Sequence, residues 1–233
     1  MRRLLIMMFF LSFAANASTE IRLGVHNFPP YFVMKDNDNC GGEAVELTRE
    51  ILQTDGVEVR AICATPARLY KMLSSGEVDL TINIKQTKAL PDNISFVEPP
   101  YVTLSLVLLS YIGQTKIPTS TKPTTIAAIR GFDYLGQRQI LSDLGYQFID
   151  MPDSIDAIKM FVRGRTDALL TYEAPFDYYL KQQPSTGMQP YQRKLLESIG
   201  TFYVISDQSP YKTYIGTKLA DFAAAKQISQ FRP

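Results

Sequence analysis

Tryptophan is absent from this 233-residue chain, and histidine occurs once, at His26. One histidine cannot build a histidine-cluster metal site. With no nucleophile elbow or P-loop beside it, triad hydrolysis and nucleotide chemistry have no complete set of parts. Cysteine is nearly as scarce, with only Cys40 and Cys63 and no Cys-x-x-Cys spacing. Neither a metal nor a cofactor is expected, and nothing visible makes the chain an enzyme. A surplus of one charge is missing too. Lys+Arg number 24 against 23 Asp+Glu, so no electrostatic ground exists for nucleic acid or an anionic membrane as partner. Long apolar runs are lacking except Leu4–Phe13, which is shorter than the ~20 residues of a membrane-spanning helix.

That short run belongs to a leader. Arg2 and Arg3 form a positive n-region, Leu4–Phe13 an apolar h-region, and Ala15-Asn16-Ala17 an A-x-A cleavage site. Residues 1–17 are therefore expected to be a signal peptide, cleaved after Ala17 on export to the periplasm. No Cys follows to carry a lipid anchor. Removing Arg2 and Arg3 from 24 leaves 22 Lys+Arg against 23 Asp+Glu. The mature chain is then close to neutral, and a monomer is expected. In an oxidising compartment Cys40 and Cys63 are expected to form a disulfide, two separate buried thiols being the alternative.

One stretch occurs twice. Lys71-Met72 leads to Gly76 and Asp79, and Lys159-Met160 leads to Gly164 and Asp167, with all four residues in register. Each copy reads as the end of a helix, a left-handed glycine stop and an apolar strand, Leu80-Thr81-Ile82 or Ala168-Leu169-Leu170. A helix feeding a short apolar strand is one step of a parallel α/β sheet. The fold class is thus α/β, with two similar lobes. The Gly-x-x-Asp units themselves are read as structural, because ligands of open sheets bind beyond the opposite, carboxyl ends of strands.

Around these units the pattern places strands at Ile21–Val25, Val57–Cys63, Thr125–Ile129 and Gln147–Asp150. Helices are expected at Glu43–Gln53, from Thr65-Pro66 onward, at Tyr134–Leu144, at Ser154–Arg163 and through most of Tyr211–Gln230. Asp36–Asn39 is a turn cluster, Thr115–Thr124 a surface loop, and Lys181–Gln192 polar and turn-rich. Two longer β-type runs, Val102–Tyr111 and Gly200–Ser206, are the expected connections between lobes. Lobe 1 is assigned residues 18–110 and 203–233, lobe 2 residues 111–202.

The landmarks Pro29-Pro30-Tyr31, Gly42, Arg68–Leu73, Ser75–Leu80, Phe96–Tyr101 and Arg163–Ala168 together resemble a known family. It is the periplasmic solute-binding proteins of the polar amino-acid uptake class, also known as bacterial extracellular solute-binding protein family 3. The resemblance implies a type 2 periplasmic-binding fold, two α/β lobes joined by two crossing strands and closing on a small-molecule ligand. It also implies an inner-membrane ABC permease as partner. Two signature positions depart from the family. Leu90 stands where amino-acid binders carry the arginine that clamps the ligand's α-carboxylate, and no Arg occurs between Arg68 and Arg130. Tyr172 stands where they carry the aspartate that holds the α-ammonium. Members usually run through a further helix after the equivalent of Leu219–Ile228, whereas this sequence stops at Phe231-Arg232-Pro233.

Candidate ligand contacts follow from strand-end loops. Phe28, Tyr31 and Tyr101 are aromatic walls. Asn83 is a polar contact, and Lys85 and Lys88 are cations after the first repeat strand. Arg130-Gly131-Phe132-Asp133 closes a strand before a helix, where backbone N–H groups can face an anion. In that turn Arg130, Gly131 and Asp133 are the candidates, with Arg130 replacing the missing clamp from the opposite lobe. Tyr172 and Glu173 end the second repeat strand, Glu173 as acceptor for a cationic group. His26 is read as a loop hydrogen-bonder. Two other functions stay open: an enzyme like the periplasmic cyclohexadienyl dehydratases, with Glu173 and Arg130 or Lys85 as acid and anchor, or a module reporting ligand to a membrane sensor.

Overall fold

The structure is a computed structural model that describes residues 18–34, 39–113, 123–183 and 189–232. The expected leader, most of the Asp36–Asn39 cluster and most of the expected Thr115–Thr124 loop lie outside the described residues. The elements in chain order are β1 (Thr19–Val25), β2 (Val33–Met34), β3 (Cys40–Gly41), α1 (Glu43–Leu52), β4 (Val57–Cys63), α2 (Pro66–Ser75), β5 (Leu80–Ile84), β6 (Ile94–Tyr111), β7 (Thr125–Ile129), α3 (Gln137–Asp143), β8 (Gln147–Met151), α4 (Ser154–Val162), β9 (Ala168–Tyr172), α5 (Glu173–Gln182), β10 (Tyr191–Ser206) and α6 (Lys212–Lys226). Among the described residues no helix is long and apolar enough to cross a membrane.

Eight strands form one sheet in the order β4-β1-β5-β10-β6-β9-β7-β8. β1 pairs in parallel with β4 and β5, and β7 pairs in parallel with β8 and β9. The two halves are thus the same β-α-β-α-β unit twice, as the repeated sequence implies. Between them run β6 and β10, antiparallel to each other over most of their length. β10 closes the first half by pairing with β5, and β6 closes the second by pairing with β9. The β10–β6 register shifts between Leu195 and Glu197 and between Thr201 and Tyr203, so each irregularity bends the ladder where it crosses between lobes.

Burial follows from the alternation of strand side chains. In β7, Ile126 and Ala128 join the core shared with β1, α1 and α6, while Ala127 points to the core under α4 and α5. A third cluster packs Leu69 and Leu73 of α2 on Val78 and Val204. Parallel strands covered on both faces read as unbroken apolar runs, which is how they were legible.

The two Asp residues of the repeat perform the same local task. The Asp79 N–H donates to the Arg22 carbonyl (2.9 Å), and the Arg22 N–H donates back to the Asp79 carboxylate (2.8 Å). The Asp167 N–H donates to the Thr125 carbonyl (3.1 Å), and the Thr125 N–H returns to the Asp167 carboxylate (2.8 Å). Each carboxylate ties the third strand of its lobe to the first. Gly76 (φ 75°) and Gly164 (φ 67°) supply the left-handed helix stops ahead of them.

Several local expectations are corrected. The helix expected at Tyr134–Leu144 is shorter, because Tyr134, Leu135 and Gly136 all hold positive φ and cannot continue a right-handed turn. The stretch from Lys181 is not all turn: α5 runs to Gln182, and β10 begins at Tyr191. Thr65 sits at the N-cap of α2 with Pro66 behind it, yet its side chain makes no capping bond.

Cys40 and Cys63 form a disulfide, with Cα atoms 5.8 Å apart, joining β3 to the end of β4. With the two cysteines 23 positions apart along the chain, the crosslink is worth about 3 kcal/mol in the chain-entropy account. Reduction should therefore lower the denaturation midpoint by a corresponding amount. An unchanged midpoint after verified reduction would refute the estimate.

Candidate functional site

A cavity of about 470 Å³ lies between the lobes. Its floor comes from β5 and β6, through Ile82, Val102 and Leu104, and its walls from the loops that follow β1, β5 and β7. Parallel strands deliver these loops to one side of the sheet, where ligand sites of α/β folds are built.

The loop after β1 is held rigidly. The Phe28 N–H donates to the Phe32 carbonyl (2.9 Å), and the Phe32 N–H returns the bond to Phe28 (3.0 Å). The first turn of α1 caps the same loop, with the Ala44 N–H donating to the Tyr31 carbonyl (3.0 Å). Gly42 makes this close approach possible. Its φ is +112°, and a Cβ there would collide with the Tyr31 carbonyl oxygen. Phe28 and Tyr31 thereby present near-parallel rings with centroids 6.4 Å apart. Tyr31 meets Tyr101 edge to face at 5.7 Å, and Phe28 reaches across the cleft to Tyr172 at 5.5 Å.

From the opposite lobe comes the turn after β7. Arg138 supports it from behind, its Nε donating to the Phe132 carbonyl (2.9 Å) and its Nη2 to the Ile129 carbonyl (2.9 Å). Gly131 takes φ +78° in the turn. Arg130 is exposed at the cavity and, among the described residues, forms no side-chain hydrogen bond or ion pair. Asp133 is engaged: its carboxylate lies 3.1 Å from Lys88 Nζ of the other lobe, bridging the mouth of the cleft.

Of the residues expected from the sequence, Phe28, Tyr31, Asn83, Lys88, Tyr101, Arg130, Gly131, Asp133 and Tyr172 all line this cavity. Lys85 and Glu173 do not. Lys85 pairs with Glu98 and lies 4.1 Å over the Phe202 ring. Glu173 begins α5 and pairs with Arg193. Asn83 is largely committed within its own lobe. Its Nδ2 donates to the Tyr70 hydroxyl (2.9 Å), and its Oδ1 accepts from the Ile84 N–H (2.8 Å) and the Thr87 hydroxyl (2.7 Å).

His26, expected to be a loop hydrogen-bonder, instead lines the cavity, and its buried Nδ1 has no partner among the described residues. Burial pushes its pKa down to about 4, so the ring is neutral at physiological pH. Burial likewise pushes the Tyr172 hydroxyl up to about 12 and Tyr101 and Tyr134 higher still. The Tyr101 hydroxyl is also buried without a hydrogen-bond partner among the described residues. Sequence reasoning passed over Tyr70, Phe132, Tyr134 and Thr201 as cavity residues. Phe132 and Tyr134 belong to the turn already singled out, so the aromatic content of that turn was the available signal. Tyr70 and Thr201 sit inside a helix and a strand, where nothing local marks them.

Residues 21–227 match the family described as bacterial extracellular solute-binding proteins, family 3. No curated protein matches the chain. Many solved structures do. Holo ArgBP of T. maritima is 20% identical, with a TM-score of 0.65 over 87% of this chain and 90% of its own. A lysine complex of a Wolinella succinogenes protein assigned as an ABC-transporter binding component is 19% identical, with a TM-score of 0.68 over 88% and 91%. The GluR0 ligand-binding core in complex with L-glutamate is 16% identical, with a TM-score of 0.70 over 92% and 97%. These are likenesses of fold.

Proposed function

The chain belongs to the bacterial extracellular solute-binding proteins, family 3, and from that premise we propose that it captures a small solute bearing an anionic group between its lobes. The observation that carries the reading is Arg130, the cavity-lining cation with no ion pair among the described residues. It faces aromatic walls formed by Phe28, Tyr31, Tyr101 and Tyr172. Arg130 and the neighbouring backbone amides take the anion, and the rings pack the apolar body. Leu90, at the position of the family's clamp arginine, lies in the cluster under α2 instead.

In this reading the lobes, residues 18–110 with 203–233 and residues 111–202, pivot about β6 and β10 near their register shifts. The solute stabilises closure by touching both lobes only in the closed form. The protein is exported to the periplasm after cleavage at Ala17 and hands its solute to an inner-membrane ABC permease. The dehydratase-like reading finds less support, because Glu173 is engaged by Arg193 and does not line the cavity.

Mass spectrometry of small molecules that co-purify with the mature protein identifies the solute. Arg130→Ala should then weaken its binding about ten- to a hundredfold, the worth of one charge-assisted hydrogen bond. The melting temperature of the ligand-free protein should not change, since the Arg130 side chain holds nothing in place. An unaltered Kd in the variant would sink the assignment.

A further inference from the structure

The ionisable groups facing the cavity are unevenly matched. Apart from tyrosines held protonated by burial, the lining residues that can carry charge are His26, Lys88, Arg130 and Asp133. His26 is neutral. Asp133 is answered by Lys88 at 3.1 Å. Among the described residues Arg130 has no ion-pair partner, and the one lining carboxylate, Asp133, already has a cation beside it. Tyr172 occupies the end of β9 with a ring packed against Phe28 and Tyr134, which puts apolar surface there. An ammonium entering such a cavity would lose its water, meet no anion and share the space with the Arg130 charge. The rings are poor substitutes for a carboxylate, because a cation over an aromatic face gains only about 0.5–2 kcal/mol, less than desolvating an ammonium costs.

We propose that the cavity is specific for carboxylates with an aromatic or apolar body and no amine, and that it rejects zwitterionic α-amino acids. The selection has two parts. Arg130 fixes the carboxylate, and Lys88 sets a cation against Asp133, the one acidic side chain among the described lining residues that could receive an ammonium. This class rests on the reading of the cavity as the solute site.

The test uses the mature protein and three compounds that differ only in their charged groups: 3-phenylpropanoate, L-phenylalanine and 2-phenylethylamine. Calorimetry should show 3-phenylpropanoate binding at least about tenfold more tightly than L-phenylalanine, the scale on which an unpartnered polar group is rejected. 2-Phenylethylamine should be the weakest. In Lys88→Met, which frees Asp133, the preference for the amine-free acid should narrow toward unity. Equal or tighter binding of L-phenylalanine or of the amine by the wild type overturns the proposal, as does an unchanged ratio in Lys88→Met. No binding of any of the three at millimolar concentration overturns it too.

Failure of the wider reading looks different. Ala67 is exposed and lines the cavity, so Ala67→Trp fills the space without disturbing the core. If L-phenylalanine wins and Ala67→Trp abolishes its binding, the cavity is the site and only the ligand class is wrong. If a bound probe ignores both Ala67→Trp and Arg130→Ala, the cavity is not the site.

Discussion

Replacing Asp79 by alanine should cost about 3–5 kcal/mol of stability, the loss seen when one partner of a buried ion pair is removed. Asp79 is completely buried. It accepts from the Arg22 N–H, from Arg22 Nε at 3.0 Å and Nη2 at 3.2 Å, and from the Ser209 hydroxyl at 2.7 Å. Alanine would leave the guanidinium and the Ser209 hydroxyl without that acceptor. It would also untie β5 from β1, and from the segment that leads into α6. The side chain of Arg22 is 31% exposed and regains some water, which favours the lower end of the range. Asp167→Ala in the other lobe is the internal control. There, among the described residues, the carboxylate binds only the N–H and hydroxyl of Thr125, each at 2.8 Å. Uncharged donors left unsatisfied cost about 1–3 kcal/mol. Denaturant midpoints should therefore rank wild type above Asp167→Ala above Asp79→Ala. Equal losses at the two sites would show that the ion pair adds nothing to the shared backbone bonds.

Phe161→Ala should be about as damaging, costing roughly 3–5 kcal/mol through lost burial and the void left behind. Phe161 has no exposed surface. Its ring stacks on Tyr111 with centroids 4.5 Å apart, and its carbonyl accepts from the Tyr111 hydroxyl. Phe176 and Tyr191 complete the aromatic cluster, each ring 6.4 Å away. The residues around it come from β6, β7, β9, α4 and α5, so the loss should fall on that lobe. Hydrogen exchange should accelerate in β7, β9 and α4 and stay near wild type in β1, β4 and α1. A cost below about 1.5 kcal/mol, within the range of a volume-conserving core swap, would mean that the cluster closes over the void.

Much of the architecture was legible because its causes are local. Gly76 and Gly164 are left-handed because helices stop there, and the apolar runs behind Asp79 and Asp167 are continuous because both faces of each strand are covered. The cysteine pair could be assigned from the expected leader and the count alone. Phe28, Tyr31 and Arg130 were visible as site candidates because each follows directly on a strand of a parallel sheet, and such loops converge. The helix after Gly131 was placed too early for the opposite reason. Tyr134 and Leu135 are ordinary helix residues by type, and they hold positive φ because the turn is pinned from outside by Arg138 and by the Ile129 N–H on the Tyr134 hydroxyl.

The sequence by itself determined the order of elements, the duplicated lobe and the family, because helix and strand periodicities and glycine stops are set by neighbours a few residues apart. Only the tertiary structure decided which charges face the cavity. Lys85 and Lys88 stand on one loop, yet Lys85 turns to Glu98 and Lys88 crosses to Asp133 on the other lobe. Glu173 follows Tyr172 directly as the first residue of α5, yet it turns to Arg193 while Tyr172 lines the cleft. A charge pairs with whatever oppositely charged group the packed chain brings within a few ångströms, and that distance depends on every element between the two.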